Sequence, residues 1–279
     1  MTISIAINLD TRPGFMEQKT EQGTMMNGTR SLDFFTDGVI NKVRFFEGHD
    51  LETTVFIDVH DPLPDDTQNW LLSQQRSGMI DNLVFNRHTE RYLGSDFYPK
   101  HNDLNFMNAM ILTRGDIVIH MDGDVACFIN DRSVVDEWIG WLREGKYDFI
   151  CYPSNHSPNP VSDPDFDYFW ASTRWAMFRR DLLDYTEIVK CLSDSDYLYG
   201  KYGDRKRRCP WLEHAWVLIN GPAKVYYPPW QINRYIVFCW SRYISGIFGR
   251  LNNMPYHDVR AYVEKCGIAY PNDLSAREL

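Results

Sequence analysis

Apolar residues along the first 150 positions alternate between two periodicities. Short runs of apolar and β-branched residues predict strands, and longer segments with an apolar residue every three or four positions predict helices. The predicted strands cover 3–9, 53–64, 82–88, 116–124 and 147–154. The predicted helices cover 31–46, 70–80, 102–115 and 131–145. Strands that alternate with helices in this way predict an α/β fold, with a largely parallel sheet covered on both faces.

The pattern changes after residue 154. Residues 155–167 are rich in Pro, Ser, Asn and Asp, which predicts a loop. Residues 168–183 predict a strand with a turn or helix, and residues 201–208 predict a basic loop. Residues 209–229 predict a helix, a Gly-Pro break and a last strand, and a mostly helical tail follows over 230–279. We therefore predict a main domain over 1–229 and a C-terminal helical segment over 230–279.

Composition limits the functions that fit this pattern. The chain has 279 residues, 44% of them hydrophobic, and a net charge of −9, which disfavours nonspecific nucleic-acid binding. Its six widely spaced cysteines include no C-x-x-C pair, which argues against a zinc site or disulfide scaffold and favours a reducing, cytoplasmic compartment. The N-terminus is interpreted as a strand rather than a signal peptide, and no apolar run approaches the ~20 residues that a bilayer span needs.

Two aspartates follow the apolar strand in "IVIHMDGD". Removing an unpaired carboxylate from water costs several kcal/mol, so a positive charge is expected beside Asp122 and Asp124. Both carboxylates can reach one cation, whether the strand continues or Gly123 makes a turn. Oxygen ligands suit Mg²⁺ or Mn²⁺, and a cation held by few protein ligands keeps positions for substrate phosphates. The alternative is a solvated surface turn.

The segment "LNFMNAMILTRGDIVIHMDGD" resembles the donor-site segment of glycosyltransferases with the GT-A fold, and is closest in character to the family-two inverting type. The matching positions are Leu104-Asn105, Gly115-Asp116 and Asp122-Gly123-Asp124. The resemblance implies a Rossmann-like, mixed but mostly parallel sheet flanked by helices. It also implies a donor half over 1–128 and an acceptor half over 129–229, with a nucleotide-diphosphate sugar of the UDP or GDP type as donor.

The resemblance further implies roles for residues at the donor site. Asp124 would bind a divalent metal, and Asp122 would contact the ribose or a metal-bound water. A carboxylate after the second strand, Asp58 or Asp61, would pair with the base, although Asp58 is alternatively a turn residue. The other candidate nucleotide contacts are Asn8, Thr11, Arg12, Arg87 and Asn105, and a late histidine, His257, is a candidate further metal ligand.

The acceptor half carries a candidate base. Family members have an acidic pair before a helix, and "WLEHAWVLINGPAKVYYPP" has this layout, with Glu213 and His214 at the positions of the pair. His214 is a departure from the family pattern, so either residue is a candidate to deprotonate the acceptor hydroxyl. The structural alternatives are a first-turn acid that stabilises the helix dipole for Glu213 and a half-buried polar residue for His214.

The segment 231–251 contains Arg234, Arg242 and Arg250 and no acidic residue. We expect a helix packed on the sheet. The alternative is a membrane-surface helix that makes peripheral contact and brings the enzyme to a lipid-linked acceptor.

The favoured function is metal-dependent, inverting transfer of a sugar from a nucleotide-diphosphate sugar to a glycan, lipid-linked or other hydroxyl acceptor. Two other classes compete with it. A strand that ends in Asp-x-Asp also resembles the nucleophile strand of haloacid-dehalogenase-type phosphatases, although that motif normally opens the chain. A noncatalytic sugar-binding relative is the second alternative.

Overall fold

The secondary structure comes from a computed structural model that describes residues 2–10, 32–58, 63, 65–86, 101–123, 125–151, 175–182, 184–202, 219–220, 223–226, 228, 231–232 and 235–239. The strands are β1 (Ile3–Asp10), β2 (Leu51–Asp58), β3 (Asn82–Asn86), β4 (Ile117–Asp122), β5 (Val125–Ile129), β6 (Phe149–Cys151), β7 (Trp175–Arg179), β8 (Val225–Tyr226), β9 (Gln231–Ile232) and β10 (Tyr235–Cys239). The helices are α1 (Leu32–Phe45), α2 (Asp65–Ser77), α3 (His101–Leu112), α4 (Ser133–Arg143), α5 (Tyr185–Ser193) and α6 (Ser195–Tyr202), with a 3₁₀ turn over Arg180–Leu182.

Within the described parts of the chain, seven strands form one sheet in the order β3-β2-β1-β4-β7-β6-β8. The strands β3, β2, β1 and β4 are parallel to one another. The strand β7 runs antiparallel to both of its neighbours, and β8 is parallel to β6. The prediction of a mixed, mostly parallel sheet with flanking helices is therefore confirmed.

The central strands are apolar on both faces because helices cover both faces. Ile5, Ile7 and Leu9 of β1 pack in the main core together with residues of α1 and α4. Ala6 points to the opposite face, where it packs near Ala109 of α3. Strands buried on both sides read as continuous apolar runs rather than as alternating patterns. This explains why "ISIAINL" and "IVIHM" were recognisable as strands in the sequence.

The prediction of a mostly helical tail from residue 230 is wrong for residues 231–239. These residues contain β9 and β10, and β10 pairs antiparallel with β5, with Tyr235 opposite Ile129 and Cys239 opposite Val125. The sequence of β10, "YIVFC", is aromatic and β-branched, and a short apolar run of this kind is compatible with a strand or with a helix. The pairing with β5 decides the matter, because β5 supplies the backbone partners for a strand.

The main predicted elements of the first half are present with shifted ends. The helix predicted over 70–80 begins earlier, at Asp65, and the strand predicted over 53–64 ends at Asp58. No helix in the described residues is both long and apolar enough to cross a membrane.

Candidate functional site

Polar residues meet where the parallel strands end. Asp10, the last residue of β1, lies opposite Asp58 of β2, and Asp58 lies opposite Asn86 of β3. On the other side of β1, Asn8 lies opposite Asp122, the last residue of β4. The carboxyl ends of parallel strands share one edge of the sheet, so these positions form a polar row above an apolar core.

The order of the strands changes direction between β1 and β4. From β1 the chain adds β2 and β3 on one side, and then returns to place β4 on the other side of β1. In open α/β sheets, ligands bind outside the carboxyl ends of the strands at such a reversal. Asn8 and Asp122 are paired at this position, so they are the described residues best placed for a ligand.

Asn8 and Asp122 are side by side and nearly buried. Their relative exposures are 5% and 8%, and residues in register on adjacent strands project to the same face of the sheet. That face is covered by α3, because the ring of His120, two residues before Asp122, lies 5.2 Å from the ring of Phe106. The side-chain oxygen Oδ1 of Asn8 has no hydrogen-bond partner among the described residues. A buried acceptor without a partner costs about 1–3 kcal/mol, so a bound donor or cation would relieve this cost.

The oxygen donors at this position fit a hard divalent cation. Mg²⁺ and Mn²⁺ prefer carboxylate and carbonyl oxygens, which Asp122 and Asn8 supply. Within the described segments, no group of three or more His, Cys, Asp or Glu side chains could hold a metal ion.

Burial raises the pKa of the nearby strand residue Cys127 to about 12, only partly offset by the charge of Lys42, so its thiol is protonated at neutral pH. A site built here would therefore use oxygen ligands.

Gly123 allows the turn after β4 to approach β1 closely. Its backbone N–H donates to the carbonyl of Asn8. A Cβ atom at this position would lie 2.9 Å from Leu9 Cδ2 and 3.0 Å from the carbonyl oxygen of Asn8. A side chain here would push the turn away from β1. From the sequence, Gly123 was expected to allow a tight turn through its conformational freedom. In the structure, it is needed because a side chain at this position has no room beside β1.

Lys42 is a site residue that the sequence analysis missed. Its side chain is fully buried, and Nζ donates to the carbonyl oxygen of Gly123 over 3.2 Å. The positive charge expected beside the Asp-Gly-Asp turn is thus provided in part by the chain itself. A signal was available, because Lys42 stands three residues after Val39 and three before Phe45, inside the apolar stripe of α1.

The structure describes part of the predicted donor site. Asn8 and Asp122 are brought together, and Asp58 is the last residue of β2, while its role in binding the base stays a prediction. Asn105 lies in α3, and only its backbone is described. The other predicted site residues lie outside the described residues, and their roles stay predictions: Thr11, Arg12, Asp61, Arg87, Asp124, Glu213, His214 and His257.

No protein-family model matches the sequence, and no curated protein matches it. Several solved structures are similar in fold. A mannosyltransferase of Pyrobaculum calidifontis, in complex with GDP-Man and Mn²⁺, is 13% identical with a TM-score of 0.42, over 81% of this chain and 54% of that chain. This chain thus spans about half the length of that protein.

Two further structures extend the comparison. A putative nucleotide-diphospho-sugar transferase of Desulfovibrio desulfuricans is 14% identical with a TM-score of 0.41, over 81% of this chain and 79% of that one. The inositol-1-phosphate CTP transferase of T. maritima is 12% identical with a TM-score of 0.47, over 95% and 98%. Similarities this distant carry no argument about function, which has to come from the residues of the chain.

Proposed function

We propose that this chain is a divalent-metal-dependent glycosyltransferase of the GT-A type, which moves a sugar from a UDP or GDP sugar to a hydroxyl acceptor. One observation carries the proposal: Asn8 and Asp122 are paired and nearly buried at the position where the strand order reverses. The Asp-Gly-Asp motif begins at that position, and its glycine is held against β1. A buried oxygen cluster at such a reversal suits a cation that carries phosphates.

The donor would bind along the polar row. Asp122, Asp124 and His257 would hold Mn²⁺ or Mg²⁺, with Asn8 contributing a neutral oxygen or contacting the nucleotide. The bound cation would neutralise charge on the departing diphosphate. Asp58 or Asp61 would bind the base, since Asp58 ends the strand next to β1. The remaining candidate contacts to the nucleotide are Thr11, Arg12, Arg87 and Asn105.

The acceptor half would supply the base for an inverting transfer. Glu213 would take the proton of the acceptor hydroxyl as its oxygen forms a bond to the anomeric carbon and the bond from that carbon to the diphosphate breaks. His214 is the alternative base, but adjacent residues of a helix point about 100° apart, so one of the two faces the acceptor.

Two variants separate these candidates. Loss of a general base typically costs about 10²–10⁴-fold in rate, so Glu213→Gln should lose transfer and keep metal-dependent nucleotide binding. An active Glu213→Gln together with an inactive His214→Ala would exchange the roles. A product with the anomeric configuration of the donor, seen by NMR, would remove the inverting mechanism.

A panel of ligands tests the function itself. Thermal shift and calorimetry with UDP and GDP, each with Mn²⁺ or with EDTA, should show binding that requires the metal. Turnover of a matching nucleotide sugar separates a transferase from a noncatalytic sugar-binding protein. Hydrolysis of a generic phosphate ester through an aspartyl phosphate would indicate a phosphatase instead, and pyrophosphate release from a nucleoside triphosphate would indicate nucleotidyl transfer.

We place the activity in the cytoplasm, with a glycan or lipid-linked acceptor. Two buried cysteines of the described residues, Cys127 and Cys191, carry free thiols, which suits a reducing compartment. Peripheral membrane contact would now rest on 240–251, since 231–239 contains strands. Flotation of the full-length protein with anionic and neutral vesicles, at low and high salt, tests this contact.

A further inference from the structure

We propose that Lys42 is a positioning residue of the donor site, which holds the peptide group of Gly123 and thereby the carboxylate of Asp122. The identity of the bound group rests on the proposed function, whereas the holding of the turn rests on the geometry alone. The contact itself is a hydrogen bond of 3.2 Å from Lys42 Nζ to the carbonyl oxygen of Gly123.

The buried charges of the described residues meet at this turn. Among the buried side chains of all the described residues, Lys42 is the single Lys or Arg, and Asp122 is the single Asp or Glu. The residue that accepts the hydrogen bond from Lys42 directly follows Asp122 in the chain. A buried ion is tolerated when an opposite charge and hydrogen bonds compensate for its lost hydration. Lys42 therefore bonds the residue next to Asp122, the other buried ion.

Lys42 reaches the turn from the opposite side of the sheet. Met121 packs in the main core with Val39 and Phe45 of α1, and Asp122, the next residue of β4, points to the other face. Lys42 belongs to α1 and is fully buried, so it supports the turn from the core and does not contact a bound nucleotide. This arrangement keeps the Asp122 carboxylate available on the ligand side and makes Lys42 a support rather than a ligand.

Two hydrogen bonds fix the same residue in different directions. The N–H of Gly123 donates to Asn8, and its carbonyl accepts from Lys42. The first bond ties the turn to β1, and the second ties it to α1. A cation demands its oxygen ligands at narrowly defined distances, so losing one bond should reduce the affinity for the cation before it unfolds the protein.

The test compares Lys42→Met with Val39→Ala in the full-length protein. Methionine keeps an apolar stem and removes the ammonium group. Val39 is buried in the same helix and the same core but has no side-chain donor, so its truncation destabilises the fold without removing a hydrogen bond to Gly123. Both variants are measured at temperatures equally far below their own melting temperatures. The readouts are Mn²⁺-dependent binding of UDP and GDP by calorimetry, and hydrogen exchange of the amides in 117–123.

We expect Lys42→Met to weaken Mn²⁺-dependent nucleotide binding at least tenfold and to speed hydrogen exchange at 121–123. Val39→Ala should change the binding and the exchange rates by no more than twofold. Lys42→Met that behaves like Val39→Ala in both readouts would overturn the proposal. If the wild-type protein binds no nucleotide with Mn²⁺, the proposed function fails, but the exchange measurement still decides whether Lys42 holds the turn.

A second variant covers the case in which Lys42→Met does not fold. Lys42→Gln removes the charge, and its amide nitrogen is one bond nearer the backbone than Nζ, so it cannot place a donor where Nζ bonds the Gly123 carbonyl. It should weaken metal-dependent binding at least threefold, and a value equal to that of Val39→Ala would overturn the proposal. Combining Lys42→Gln with Asp122→Asn should cost less stability than the sum of the two single changes, because the pair of buried charges is removed together.

Discussion

At the scale of single residues, Asp122 is the described carboxylate on which metal binding at the proposed donor site depends. This carboxylate is 8% exposed and lies beside Asn8 at the end of β4. We expect Asp122→Asn to abolish metal-dependent binding of UDP or GDP, because the amide keeps the shape and removes the charge that attracts the cation. Calorimetry with Mn²⁺ measures this loss, and circular dichroism checks the fold.

The same strand offers a matched control for this change. Asp116 precedes β4 at its amino end, is exposed, and forms its inter-segment hydrogen bonds through its backbone. Asp116→Asn should therefore leave nucleotide binding unchanged. Equal binding by Asp122→Asn and the wild-type protein would remove Asp122 from the donor site.

Gly123 allows a second prediction at this scale. A methyl group at residue 123 would lie 3.0 Å from the backbone oxygen of Asn8, and overpacking of this kind costs about 1–3 kcal/mol. Gly123→Ala should lower the free energy of unfolding by that amount and weaken nucleotide binding. Gly140 is the control, because a Cβ there meets nothing within 4 Å and alanine is the better helix former. Urea denaturation of both variants measures the free energy of unfolding, and a Gly123→Ala protein as stable as Gly140→Ala would show that residue 123 has room for a methyl group.

The residues of the site differ in how visible they are in the sequence. Asn8 and Asp122 were predictable, because each stands at the carboxyl end of an apolar strand where ligands bind. Lys42 was not, because a lysine between apolar residues of a helix normally extends its ammonium group to solvent. Its burial depends on the distance from α1 to the turn after β4, which is a property of the packed structure.

At the scale of elements, the alternation of strands and helices in the first half was predictable from periodicity alone. The helices α5 and α6 were missed, although Asp184 caps α5 by accepting from the backbone N–H of Glu187, and the D-x-x-E spacing was a usable signal. The strand β10 was misassigned because its partner, β5, lies more than 100 residues earlier. The sequence pattern around residues 235–239 carries no information about a partner strand so far away in the chain.

The pairing of β10 with β5 predicts that the chain is not separable at residue 230. A fragment of residues 1–229 lacks β10, so β5, already an edge of the three-stranded sheet, loses the strand that pairs with its backbone. We expect this fragment to exchange the amides of 125–129 much faster than a fragment of 1–239 does, and to unfold at lower urea concentration. Equal protection and equal stability of the two fragments would instead support the predicted boundary between 229 and 230.

At the scale of the whole molecule, the charge of the chain raises a question about its ligand. The net charge is −9, yet the proposed donor carries a diphosphate, so the two repel each other at long range. A divalent cation held at the Asp122 turn reverses the local sign. Binding of the nucleotide and of the metal should therefore be strongly coupled, with each weak in the absence of the other.

This coupling predicts how ligands change thermal stability. A ligand at one hundred times its dissociation constant stabilises the folded state by about 2.7 kcal/mol, which for a chain of 279 residues raises the melting temperature by about 5 °C. UDP or GDP together with Mn²⁺ should give a shift of this size, whereas Mn²⁺ alone or nucleotide with EDTA should give almost none. In Asp122→Asn the combined shift should disappear, because the carboxylate that joins the two ligands is gone. A nucleotide shift that survives EDTA at full size would mean that cationic side chains bind the diphosphate unaided, and the metal would then have no part in donor binding.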